Sequence, residues 1–147
     1  MSNLGKTKIS TKSVVEAAQK FGTPLYLYDE QTILNKCHDV LRMPNAFGLN
    51  VSFAMKANSN RAVLQLITSL GIDLDLSSVN EGVRANLAGI PYSRMELTTQ
   101  EVPFGERREQ MHKMMLDGMK YNVCSLRQLE LIADFAAEHN LKLSMRV

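Results

Sequence analysis

The sequence predicts an α/β fold, a partial (β/α)8 barrel of the TIM type with about five of the eight strands. Three observations predict it. From Thr32 onward, strand-like and helix-like segments alternate with short connections, the pattern of a parallel sheet with crossover helices. Every strand has one apolar and one polar or small face, whereas a doubly wound sheet, covered on both sides, tends to be apolar on both. No GxGxxG or Walker sequence follows any strand, which weighs against nucleotide-binding open sheets. The faces alone leave open a sheet with one half-solvated side.

The first predicted element is a helix over 29–42, opened by Asp29 as N-cap and ended by Pro44 and Gly48. A strand over 50–56 follows. Helix 60–70 is amphipathic through Ala62, Val63, Leu66, Ile67 and Leu70, and Gly71 stops it. Strand 72–77 leads to helix 79–88, which Gly89 and Pro91 end. Strand 94–98 runs into a polar loop through Pro103 and Gly105, and a methionine-rich helix spans 106–117 up to Gly118. Strand 119–124, a helix over 126–139 capped by Ser125, and a strand over 141–147 complete the pattern.

The strand faces place chemistry at one end. Ile72, Leu74 and Leu76 oppose Asp73, Asp75 and Ser77; Met95 and Leu97 oppose Glu96 and Thr98. Tyr121 and Val123 oppose Asn122 and Cys124; Leu143, Met145 and Val147 oppose Lys142, Ser144 and Arg146. In a barrel with helices outside, Lys56, Asp75, Ser77, Thr98, Cys124 and Arg146 converge on the C-terminal rim. On the 50–56 strand, Ser52 and Ala54 precede Lys56 on a face of small residues, leaving room beside the amine. Such an amine forms a Schiff base with an aldehyde cofactor if it can shed its proton. A lone strand-end lysine is also commonly no more than a solvated surface group.

Composition narrows the class. The chain has 147 residues, 45% hydrophobic and 22% charged, with a formal net charge of +2 that argues for neither nucleic acid nor membrane surface. Cys37 and Cys124 are too few and too far apart for a disulfide scaffold or a CxxC site, and suit a reducing cytoplasm. The start lacks an apolar leader, and no run approaches the ~18 apolar residues of a membrane span. His38, His112 and His139 lack ligand spacing and read as surface or boundary residues, so no metal is expected.

Several segments carry a resemblance. Phe21-Gly22-Thr23-Pro24-Leu25-Tyr26-Leu27-Tyr28-Asp29, Phe53-Ala54-Met55-Lys56-Ala57-Asn58 and Gly71 through Glu81 stand in the order of one family. Leu97-Thr98-Thr99, Asn122 through Glu130 and the final Met145-Arg146-Val147 continue it. Taken together they resemble the pyridoxal-phosphate decarboxylases of the alanine-racemase-like barrel fold (fold type III), the diaminopimelate branch first and the ornithine/arginine branch second. The resemblance implies that Lys56 is catalytic and carries pyridoxal 5'-phosphate, with Asp75, Glu81 and Arg146 near the cofactor and Asn58 bracing the loop after Lys56. On their own residues, Asp75 and Arg146 read equally as a lumen ion pair and Glu81 as a helix-start charge. Also implied are a small amino-acid substrate, a cytoplasmic homodimer, and no nucleic-acid or membrane partner. Residues 1–28 form a lead segment and 29–147 the first part of the pyridoxal-binding barrel. Five strands fall short of the eight and ~250 residues of a closed barrel. The sequence therefore reads as the N-terminal part of a longer enzyme, inactive alone and open at its sheet edges; the alternative of a different class is a non-catalytic pyridoxal-phosphate-binding or interaction module.

Overall fold

The structure is a computed structural model that describes residues 9–146. They form two compact units, residues 9–43 and residues 44–146.

The first unit holds two helices. Helix α1, Thr11–Phe21, has no counterpart among the predicted elements. Its N-cap Ser10 accepts a hydrogen bond from the Ser13 N–H at 3.1 Å, and none of its residues is buried, although Val14, Ala18 and Phe21 share one face at helical spacing. Helix α2, Glu30–Leu41, starts where the sequence places it, with the Asp29 carboxylate accepting from the Thr32 N–H at 2.7 Å. Cys37 is buried on α2, and burial pushes its thiol pKa up.

The second unit is a five-stranded sheet of β1 (Ser52–Ala54), β2 (Asp73–Leu76), β3 (Met95–Leu97), β4 (Lys120–Val123) and β5 (Leu143–Met145). Each strand pairs in parallel with the next, in the order β1-β2-β3-β4-β5. A doubly wound sheet reverses its strand order at a switch point; this sheet never does, as expected of part of a barrel wall. Helices α3 (Arg61–Ser69), α4 (Val79–Leu87), α5 (Glu106–Leu116) and α6 (Leu126–Glu138) occupy the crossovers.

The apolar strand faces and the helices make the core. Met55, Leu74, Leu76, Met95, Leu97 and Val123 are buried, and Leu64, Met114 and Ile132 pack with them from the helices. Gly82 explains a glycine in mid-helix. A Cβ there would lie 3.2 Å from both Leu76 Cδ1 and Met114 Sδ, so its absence lets the α5 side chain close over β2. On the opposite face Asp73, Asp75, Ser77, Glu96, Thr98, Asn122 and Cys124 remain half-buried, the partition that alternation predicts. Tyr121 lies on the buried side, where burial first and Cys124 second push its pKa to about 12 and keep the hydroxyl neutral. His112, read as a boundary residue, is half-buried on α5 and stacks on Phe135 of α6 with ring centroids 3.7 Å apart.

Strands are shorter than predicted. The 50–56 strand ends at Ala54, because Met55–Ala57 winds into a 3-10 turn closed by the Asn58 N–H on the Met55 carbonyl at 3.1 Å. Met55 is fully buried, which anchors that turn to the core.

Candidate functional site

Three strand-to-helix turns and the longer β3–α5 loop build the C-terminal rim. The first carries Lys56, exposed in the 3-10 turn after β1. Asn58 Oδ1 accepts the Asn60 N–H at 2.9 Å, and Asn60 Oδ1 accepts the Ala62 N–H at 3.0 Å to cap α3. Asn58 thus braces the chain that leaves Lys56.

The second turn joins β2 to α4. Ser78 is the N-cap, its Oγ accepting the Glu81 N–H at 3.3 Å, while Glu81 reaches back to accept the Ser77 N–H at 2.7 Å. This is a capping box whose return bond falls one residue before the cap. The third turn, from β4 to α6, repeats it. Ser125 Oγ accepts the Gln128 N–H at 3.2 Å, and Gln128 Oε1 accepts the Cys124 N–H at 2.6 Å.

Gln128 does more than Glu81. Its Nε2 donates to the Thr99 carbonyl at 2.8 Å and to the Glu101 carbonyl at 2.7 Å, both in the loop after β3. Thr99 is itself buried, and its hydroxyl accepts the Glu101 N–H at 3.0 Å.

These turns enclose a cavity of about 400 Å³ whose lining includes Lys56, Ser77, Thr98, Glu101, Cys124 and Arg146. A second cavity of about 520 Å³ adjoins it, sharing Gln100, Cys124 and Arg146 and reaching Ser125 and Gln128. The first therefore combines a primary amine, a guanidinium, several hydroxyls, a thiol and one carboxylate. Two cations against one anion favour a ligand with negative charge, and the amine is the natural partner of an aldehyde.

The structure brings Lys56 and Arg146 together on that cavity. The Arg146 N–H donates to the Val123 carbonyl at 2.8 Å and extends the β4–β5 pairing past the strand end. Glu81 stands one step back, holding Ser77, which lines the cavity. Asp75 sits half-buried on β2, in register with Ala54 and Glu96, and does not line it. Among the described residues Asp75 and Arg146 form no ion pair with each other. A half-buried pair lies elsewhere, between Arg94 and Asp73, where Arg94 also donates to the Ile72 carbonyl at 3.1 Å. Sequence reading missed Gln100, Glu101 and Gln128. For Gln128 a signal existed, since Ser125-x-x-Gln128 and Ser78-x-x-Glu81 share the capping-box spacing.

A sequence profile described as "Pyridoxal-dependent decarboxylase, pyridoxal binding domain" matches residues 30–147. A diaminopimelate decarboxylase of Methanothermobacter thermautotrophicus is 32% identical over 148 aligned positions, covering 97% of this chain and 33% of that protein. The crystal structure of diaminopimelate decarboxylase from M. jannaschii in complex with L-lysine superposes with a TM-score of 0.72 at 27% identity, covering 90% of this chain and 31% of that one. Lysine/ornithine decarboxylase from Vibrio vulnificus, complexed with putrescine, gives a TM-score of 0.74 at 19% identity, over 95% of this chain and 37% of that one, a likeness of fold alone. The chain thus spans about a third of the length of the curated relative.

Proposed function

The chain belongs to the pyridoxal-dependent decarboxylases through their pyridoxal-binding domain, and from that premise we propose that it is the N-terminal part of a diaminopimelate decarboxylase, converting meso-diaminopimelate to L-lysine and carbon dioxide. The observation that carries the reading is the amine of Lys56 on a cavity it shares with hydroxyls and Arg146. The diaminopimelate relative supports the branch at 32% identity over nearly the whole chain. Support for the ornithine branch is a matter of fold.

The donor set suits pyridoxal phosphate: an amine for the aldehyde, a guanidinium and hydroxyls for anionic and polar groups. Lys56 would hold the cofactor covalently, and Arg146 would supply positive charge beside it. Glu81 sets the backbone of Ser77 at the cavity edge, and Asp75 offers a carboxylate on the neighbouring strand face. When bound, the cofactor supplies an electron sink for the pair left at the α-carbon as the carboxylate departs. The complete enzyme, on this reading, is a cytoplasmic homodimer acting on a small amino acid. Among the described residues no helix is long and apolar enough to cross a membrane. On this reading the activity belongs to the complete enzyme, of whose curated relative this chain spans a third.

The test has two arms. Borohydride reduction of the chain with pyridoxal phosphate, followed by peptide mass analysis, should find the label on Lys56, and Lys56→Ala should abolish both label and absorbance band. A folded wild-type chain that takes no label refutes the cofactor reading. In the second arm the chain is fused to the remaining two-thirds of the Methanothermobacter relative. Carbon dioxide release from meso-diaminopimelate is expected, and release from ornithine or arginine instead would overturn the substrate.

A further inference from the structure

We propose that Gln128 is a positioning residue for this site, its side-chain amide holding the wall of the cavity that Lys56 lines. The inference rests on reading that cavity as the pyridoxal-phosphate site. Gln128 is only 2% exposed, and its amide is used on both sides: Oε1 takes the Cys124 N–H, and Nε2 gives its hydrogens to the Thr99 and Glu101 carbonyls. Each of those three backbone partners lines the Lys56 cavity, while Gln128, its amide fully engaged by them, lines the adjoining one. It therefore acts through the wall and not on the ligand.

The comparison with Glu81 shows why the residue is an amide. Both occupy the same place in a repeated turn and both accept the backbone N–H of the residue before the cap. Glu81 has only a donor to satisfy, which a carboxylate does well. Gln128 must also meet two carbonyl oxygens, and only an amide offers an acceptor on one side and two donors on the other. Without those donors the loop from Thr98 to Glu101 loses its tie to α6, and the cavity loses a fixed side.

The test compares Gln128→Glu and Gln128→Met with wild type in the full 147-residue chain. Hydrogen exchange of the backbone is read without cofactor, and pyridoxal-phosphate affinity is read by absorbance. Gln128→Glu keeps the bond to Cys124 but sets a carboxylate oxygen against two carbonyls. At about pH 8 exchange over residues 98–105 should exceed wild type by about tenfold or more, with β2 and β4 unchanged, since two buried bonds are lost and each contributes roughly 0.5–1.5 kcal/mol. Burial beside carbonyls raises the new carboxyl's pKa, so at about pH 5.5 it is protonated, donates again, and the ratio to wild type falls back. Gln128→Met fills the volume without bonding and shows no such recovery.

Both variants should weaken the cofactor dissociation constant by about tenfold at about pH 8. Affinity within about twofold of wild type, despite faster loop exchange, overturns the positioning role. So does a rise in exchange spread evenly over the sheet, or one that pH does not reverse in Gln128→Glu. A wild-type chain that takes up no pyridoxal phosphate removes the cofactor reading instead; the localisation and pH reversal of loop exchange then decide the hold of Gln128 on the wall.

Discussion

Replacing Glu81 separates two roles for the same carboxylate. It sits in the first turn of α4 and accepts the Ser77 N–H at 2.7 Å. A hydrogen bond to a charged group contributes roughly 1.5–3 kcal/mol, and an acidic group near a helix N-terminus adds about 0.3–1 kcal/mol. Glu81→Ala loses both, although Ser78 still caps the helix and water reaches the half-buried Ser77 amide, so the expected cost is about 2–3 kcal/mol. Glu81→Gln keeps an acceptor and a neutral bond, and should cost about 1 kcal/mol. Urea denaturation followed by circular dichroism measures both, and absorbance titration measures cofactor affinity in the same preparations. A bracing Glu81 predicts that Gln restores most of the stability and nearly all of the affinity. A charge in contact with the cofactor predicts that Gln binds it as poorly as Ala. The reasoning fails if Ala costs less than about 0.5 kcal/mol, or if Gln and Ala are equally unstable.

Acidification should weaken the fold through His112. Its pKa is lowered by burial first, then by Arg108 and His139, with Glu109 opposing, and its buried Nε2 has no hydrogen-bond partner among the described residues. A base with a depressed folded pKa binds fewer protons folded than unfolded, so stability falls as pH drops below the ordinary value of about 6.5. Urea midpoints against pH should show that slope, and His112→Phe, which keeps a ring against Phe135, should flatten it; an unchanged slope refutes the assignment. Gly118→Ala should cost about 2 kcal/mol or more in thermal or urea unfolding. Its φ of +98° is one that L side chains rarely adopt, and a Cβ would also lie 3.2 Å from Ser93 Cβ, a tight contact. Finally, β1 and β5 are the sheet edges among the described residues. Such edges template further pairing, so light scattering should show mass rising with concentration. A monodisperse monomer at high concentration would count against this.

The order of elements was legible because alternation and punctuation agree. Gly71, Gly89 and Gly118 follow three crossover helices at their ends, and Leu74, Leu76, Leu97, Tyr121 and Val123 keep a period of two where one face is buried. Strict alternation also separated a barrel wall from a doubly wound sheet before strand order did. Helix α1 was legible and was missed: Val14, Ala17, Ala18 and Phe21 recur at helical spacing between the caps Ser10 and Gly22, although none of its residues is buried. The turn at Lys56 was misread as strand for a different reason. Period two continues through Met55, buried, and Lys56, exposed, whether the backbone is extended or has begun to wind.

The candidate site divides along the same line. Parity carried just past the strand ends is how Lys56, Ser77, Thr98, Cys124 and Arg146 emerge from the sequence and then share one cavity, whereas Asp75, placed by the same parity, stays on β2 and does not line it. Parity says nothing about loops, so Gln100 and Glu101 stay silent until the β3–α5 loop has a path. Gln128 lies between these cases. Its spacing from Ser125 declares a helix cap, but its two bonds to Thr99 and Glu101 span 29 and 27 residues of sequence. Only the parallel order of β3 beside β4 brings those carbonyls within its reach. Local spacing thus specifies the half of the amide that accepts, and topology specifies the half that donates. A glutamate at 128 would satisfy the first requirement and violate the second, which makes the amide at this position a mark of the assembled rim.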